Sequence, residues 1–190
     1  GNFDWQTFDN LKPAYQVADT AQWGITQIKK KGLRDLGATL APQSATAIAL
    51  GMETLDLRLS RSQHNAMQLA TFLDNHPKVS KVFYPGLADH PQHFMAREYL
   101  NGGYGAILSF DLIDGADPVA FLNEMNLVIC ATHLGDNRTL ALPVAPTIYF
   151  ENTAEERELM GISDTMLRIS VGIEDTQDLI ADFETALNTI

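Results

Sequence analysis

The stretch "LRISVGIED", Leu167 to Asp175, decides the fold. Its first half alternates with a period of two, setting Leu167, Ile169 and Val171 on one face against Arg168, Ser170 and Gly172 on the other, as in a β-strand with one face on a core. The chain then enters "TQDLIADFETAL", where Leu179, Ile180, Phe183 and Leu187 form one apolar stripe of helical spacing, and Thr176 with the nearby acids is expected to cap the helix. A strand feeding directly into an amphipathic helix is a building unit of a sheet covered by helices. Arg168 sits on the face away from the apolar one. It has two readings: a solvated ion pair on an exposed strand, or a planar fork of donors that grips a carboxylate through two oxygens.

Four further strands precede it: "KVSKVFYP", "GAILSFDL", "LVICAT" and "RTLALP", with short helices at "PQHFMAREYL" and "PVAFLNEM". Upstream, "SATAIALGMETLDLRLSRSQHNAMQLATFLDN" reads as about 30 residues of helix, with Ile48, Met52, Leu55, Leu59, Met67, Leu69, Ala70 and Leu73 apolar. Gly51 marks an expected bend or a close helix contact in it, and Pro77 its end. The expected class is α/β, an α+β sandwich with a mostly antiparallel sheet, helices on one face and one long helix leading in. Residues 1 to 43 are punctuated by Gly1, Pro13, Gly24, Gly32, Gly37 and Pro42 into pieces too broken to hold a core. The opening "GNFDW", with neither an initiator methionine nor a capping pattern, reads as a cut from a longer chain.

Composition narrows the partners. Thirteen basic against 24 acidic residues give the 190-residue chain a net charge of −11, a field that repels a phosphate backbone or anionic lipid. Neither nucleic acid nor a membrane is an expected partner, and "KKK" at Lys29 to Lys31 reads as a solvated run. No apolar run of about 18 residues occurs in the sequence, and the expected compartment is the cytoplasm. Cys130 is the single cysteine, so it has no disulfide partner within the chain; "LVICAT" places it as a buried strand thiol. His90 and His93 stand three apart without a third ligand at a suggestive distance, so no metal is expected; His64 reads as a polar-face residue of the long helix. The segment "ATHLGDNRTLALPVAPTIYF" admits two readings. Thr132, His133, Leu134 and Gly135 can form a binding loop whose glycine lets backbone amides approach a ligand, or a plain connection between strands.

Together, "LAPQSATAIALGMETLDLRLSRSQHNA", "VFYPGLADHPQH", "GAILSF", "HLGDNRTLA" and "LRISVGIEDTQDLIADFETAL" resemble, in order and over essentially the whole chain, the C-terminal part of the Cys/Met-metabolism family of pyridoxal-phosphate enzymes. That family includes cystathionine γ-synthase, cystathionine lyases, methionine γ-lyase and O-acetylhomoserine sulfhydrylase. The resemblance implies a fold-type I C-terminal small domain over residues 44–190, preceded by a remnant of the large cofactor domain over 1–43. It implies that Arg168 grips the α-carboxylate of an amino-acid substrate, with His133 and Leu134 beside it. It also implies a Schiff-base lysine upstream of Gly1, since nothing resembling its setting surrounds Lys12, Lys29 to Lys31, Lys78 or Lys81. On that reading these residues hold no catalytic group, are inactive alone, and belong to a pyridoxal 5'-phosphate enzyme built as a homotetramer from two dimers. The implied reaction is γ-replacement on an activated homoserine ester, with a γ-lyase as alternative and a non-catalytic binding or assembly module as the reading from another class. His133 stands where many relatives have serine. "LPVAPTIYF", Leu142 to Phe150, also departs from the family pattern, and both would edge the pocket.

Overall fold

The computed structural model describes residues 19–190, in two compact units that divide between Met52 and Glu53. The opening "NFDW" and Lys12 lie outside the described residues. In the first unit a 3-10 turn, Thr20–Gln22, leads into α1 (Trp23–Gln27), a π-helical stretch (Ile28–Leu33) and α2 (Arg34–Leu36). Gly24 and Gly32 are thus absorbed into one helical run, and Gly37, at φ +66°, ends it in the left-handed conformation that glycine adopts without a Cβ penalty.

The expected long helix forms as two. α3 spans Pro42–Glu53 and α4 spans Leu55–Asp74. Gly51 stays helical, and the interruption falls at Thr54, whose φ/ψ of −110°/10° leave the helical range. A β-branched residue resists helix interiors, and here no packing opposes it: α3 buries none of its residues. Ile48, Met52, Leu55 and Leu59 are exposed, whereas Leu69, Ala70 and Leu73 are wholly buried. The apolar stripe was therefore one pattern serving two environments.

The second unit carries the sheet, made of β1 (Val79–Phe83), β2 (Ile107–Leu112), β3 (Ile129–Cys130), β4 (Leu140–Pro143) and β5 (Met166–Ser170) in the order β1-β2-β5-β4-β3. All pairings are antiparallel except β3 with β4. In β1, Ser80 bulges out of register between Val79 and Lys81 and donates its hydroxyl to the Leu112 carbonyl at 3.0 Å. Of the helices, α4 packs on β1 and β2, α6 (Pro118–Asn123) packs on β4, and both meet α8 (Thr176–Leu187). Phe110, Phe121 and Phe183, all wholly buried, form the centre of this layer with ring centroids 6.0 to 6.3 Å apart. These are favoured tilted and edge-to-face arrangements.

Two helices complete the unit. α5 (His93–Tyr99) fills the expected place, and α7 (Ala154–Leu159) was not anticipated. Thr153 and Glu156 close a reciprocal capping box at its start, each side chain bonded to the other's backbone amide. Two expectations are corrected. Cys130 is exposed, because β3 is a two-residue strand on the sheet's edge with neither residue buried. The cap of α8 is Asp175, whose carboxylate accepts from the amides of Gln177 and Asp178. Thr176 instead donates its hydroxyl to Asn65 Oδ1 at 2.7 Å.

Candidate functional site

The sheet's second face, opposite the aromatic layer, holds the polar side chains of β5. Cross-strand register sets Ser109 and Leu142 on either side of Arg168, and Ile107 and Leu140 on either side of Ser170. Over this face runs the loop 132–139, fastened to β5 and to the turn that follows it. Arg168 Nη2 donates to the Thr132 carbonyl at 2.8 Å. The Gly135 amide donates to Ser170 Oγ at 2.9 Å. The Gly172 amide donates to Thr139 Oγ1 at 2.9 Å, and the Ile173 amide to the Asn137 carbonyl at the same distance. Glu174 completes the series by accepting from both the amide and the hydroxyl of Thr139. Period-two geometry puts Arg168 and Ser170 on one side of β5, and the anchors at 172 to 174 follow in the turn beyond the strand.

The far end of that segment is tied to α4. Asn65, wholly buried, donates to the carbonyls of Gly172 and Glu174 at 3.1 and 2.9 Å, and Arg61 Nη2 donates to Glu174 O at 3.0 Å. At Gly172 a Cβ would stand 2.4 Å from Asn137 O and 2.6 Å from the Arg138 carbonyl carbon. The loop comes this close only because no side chain intervenes.

Arg168 is half-buried, and its Nε is enclosed without a hydrogen-bond partner. Ion pairs among the described residues join Arg34 to Asp35, Arg61 to Asp175, Arg138 to Asp136 and Arg157 to Asp164. None of them engages Arg168. His133 and Leu134 lie between the loop's first two anchors and are both exposed. Leu142, from the departing stretch, is buried directly beside Arg168 in register. One carboxylate of the loop is itself perturbed: the Arg138 guanidinium, hydrogen-bonded at 3.2 Å, pulls the Asp136 carboxyl down to about 2.

Other residues marked in the sequence have local duties. His93 Nδ1 meets the Pro85 carbonyl at 2.9 Å with its ring stacked on Tyr104, and His90 Nδ1 accepts from the Gln92 amide at 3.2 Å. Among the described residues no group of three or more His, Cys, Asp or Glu side chains converges in the manner of a metal site. No helix among them is long and apolar enough to cross a membrane. A cofactor held as a Schiff base needs a lysine facing the substrate groups. Lys81 lies on β1, two strands from β5, with its ammonium 4.7 Å from the Phe83 ring centroid, and Lys78 precedes the same strand. Neither Lys78 nor Lys81 stands beside β5, so the described residues of the second unit do not fit that attachment.

Ser170, Thr139, Glu174 and Asn65 were not singled out in the sequence. Only Glu174 carried a signal, as the acid closing "SVGIE".

The chain is 42% identical over 173 residues to an L-methionine gamma-lyase of Fusobacterium nucleatum subsp. nucleatum, covering 90% of this chain and 44% of that protein. It is 37% identical over 198 residues to O-acetyl-L-homoserine sulfhydrylase 1 of Thermus thermophilus, covering 98% of this chain and 47% of that one. Among solved structures it resembles a Campylobacter jejuni O-acetylhomoserine (thiol)-lyase containing N'-pyridoxyl-lysine-5'-monophosphate, with a TM-score of 0.81, 32% identity and coverage of 93% and 43% of the two chains. A cystathionine gamma synthase of Xanthomonas oryzae pv. oryzae, crystallised with cystathionine, gives a TM-score of 0.75 at 37% identity, with coverage of 90% and 44%. The chain thus spans less than half the length of these relatives. The profile of the Cys/Met metabolism PLP-dependent enzymes matches residues 12–188, and the chain belongs to that family.

Proposed function

We propose that this chain supplies the substrate-carboxylate end of the active site of a pyridoxal-phosphate enzyme of sulfur amino-acid metabolism. The proposed reaction is γ-replacement on an activated homoserine ester. The observation that carries this reading is Arg168: a half-buried guanidinium on the sheet face away from the core, tied to one carbonyl and facing no carboxylate among the described residues. A half-buried guanidinium with no acid beside it has donors to spare, and an amino acid's α-carboxylate suits its planar fork. With Nη2 fixed on Thr132, the remaining donors keep a set direction, so a bound carboxylate orients the Cα–H bond, and orientation supplies much of a rate. His133 and Leu134 lie on the exposed span of the adjoining loop, where they would line the substrate's path. The cofactor's covalent lysine is assigned to residues outside the described chain, and the full polypeptide to a cytoplasmic homotetramer.

The likeness to the Fusobacterium L-methionine gamma-lyase favours γ-elimination as a second reading. Assay of the full-length protein separates the two: sulfide-dependent product from O-acetylhomoserine marks replacement, 2-oxobutyrate from methionine marks elimination. In the same protein Arg168→Ala should raise the Michaelis constant and lower turnover by about ten- to a hundredfold in kcat/KM, the worth of a hydrogen bond to a charged group. Wild-type kinetics in that variant would remove the assignment.

A further inference from the structure

We infer that Ser170 is a positioning residue for substrate binding, acting through the loop that it shares with Arg168. The inference rests on the reading of Arg168 as the carboxylate handle. Ser170 is 2% exposed, so its hydroxyl does not meet solvent or substrate; it accepts the Gly135 amide at 2.9 Å. Two positions earlier on the same face, Arg168 holds the Thr132 carbonyl at 2.8 Å. The two anchors stand about 7 Å apart along the strand, and the backbone between them carries only His133 and Leu134. A span of that length fastened at both ends has little freedom, so the Thr132 carbonyl and the guanidinium it orients share one fixed geometry. Gly135, at φ +76°, makes the turn that delivers its amide to the hydroxyl.

The coupling has a direct consequence. Without the Ser170 hydroxyl one end of the span is loose, the Thr132 carbonyl leaves its place, and the guanidinium loses the acceptor that sets its plane. Carboxylate affinity then falls although no residue touching the carboxylate has changed. A serine that merely filled the sheet would, on removal, lower thermal stability and leave affinity alone.

The test uses the full-length holoenzyme and L-norleucine, an amino acid with no leaving group, with affinity read by calorimetry beside KM and kcat. Ser170→Ala should weaken norleucine and raise KM by about tenfold, the factor of one net hydrogen bond, with the cofactor's visible band intact. Gly135→Ala loosens the same anchor from the other side: its Cβ meets nothing within 4 Å, but the backbone conformation disfavours it. It should give a similar loss, and the double variant should lose no more than the larger single one. If Arg168→Ala weakens norleucine while neither Ser170→Ala nor Gly135→Ala does, the positioning role is overturned and the carboxylate reading stands. If Arg168→Ala leaves affinity unchanged, both fall.

Discussion

Thr139 and Glu174 are joined twice, the amide and the hydroxyl of one residue both donating to the carboxylate of the other. The same hydroxyl accepts the Gly172 amide at 2.9 Å, so three groups are satisfied through one acidic side chain. Removing it in Glu174→Ala strands the Thr139 amide, and Thr139 is wholly buried. The expected cost is about 2–3 kcal/mol, as for a buried donor left without its charged acceptor. Urea denaturation with an unchanged slope would measure it, and a loss below about 0.5 kcal/mol would deny the carboxylate this role.

Gly172→Ala tests the close approach of loop and strand. The new Cβ meets backbone atoms of Asn137 and Arg138, which cannot rotate aside as a side-chain tip does. An overpacking loss of about 1–3 kcal/mol is expected, and the loop must lift from β5. Faster amide exchange at Ile173, which donates to Asn137 O at 2.9 Å, would report that lift. Unaltered exchange there would contradict it.

Asp182 is buried at 7% exposure, and its two oxygens accept the amides of Asn126, Leu127 and Val128 at 2.9, 3.0 and 3.3 Å. In Asp182→Asn one acceptor oxygen becomes a donor facing amides. We expect about 2–3 kcal/mol of destabilisation, read as a lowered melting temperature, with Asp182→Glu giving a smaller loss. Equal melting of Asn variant and parent would show that the turn keeps its amides satisfied by other means.

Tyr84 gives a pH prediction. Burial, with a smaller contribution from Tyr104, pushes its phenol from 10 up to about 12, and its hydroxyl donates to the Gly105 carbonyl at 2.9 Å. The folded state thus favours the neutral phenol. Its contribution is fully present below pH 10 and is lost as pH rises from 10 through about 12. Tyr84→Phe should melt lower than the parent at pH 8, by the worth of one hydrogen bond, and the gap should narrow toward pH 12. A constant gap across that range would refute the linkage.

Much of the fold could be read from local periodicity. All five strands were visible as short apolar runs bounded by turn residues, and β5 was the clearest because it alternates, with Leu167 and Ile169 buried as its pattern requires. The helix α7 was overlooked although Thr153 and Glu156 spell its capping box, since its six residues have no buried face to generate a period. Cys130 was misjudged as buried, and the exposure of the apolar residues in the N-terminal half of the long helix has the same origin. Apolar character states a preference for burial, and whether an edge strand or a helix end finds cover depends on distant chain. At the site, Arg168 was noticed as a lone cation in an apolar strand, while its partners were not. Ser170, Thr139 and Asn65 act through pairs separated by 35, 33 and 107 residues, and no local pattern records such distances.

The tether from α4 to the β5 turn bears on how short a working piece can be made. A polypeptide trimmed to start after Asp74 would keep every strand, yet it would leave the carbonyls of Gly172 and Glu174 without their Asn65 and Arg61 donors. Anyone excising a minimal unit for labelling or grafting should therefore cut before Ser60, because the helix serves as the rivet that sets the pitch of the strand's exit.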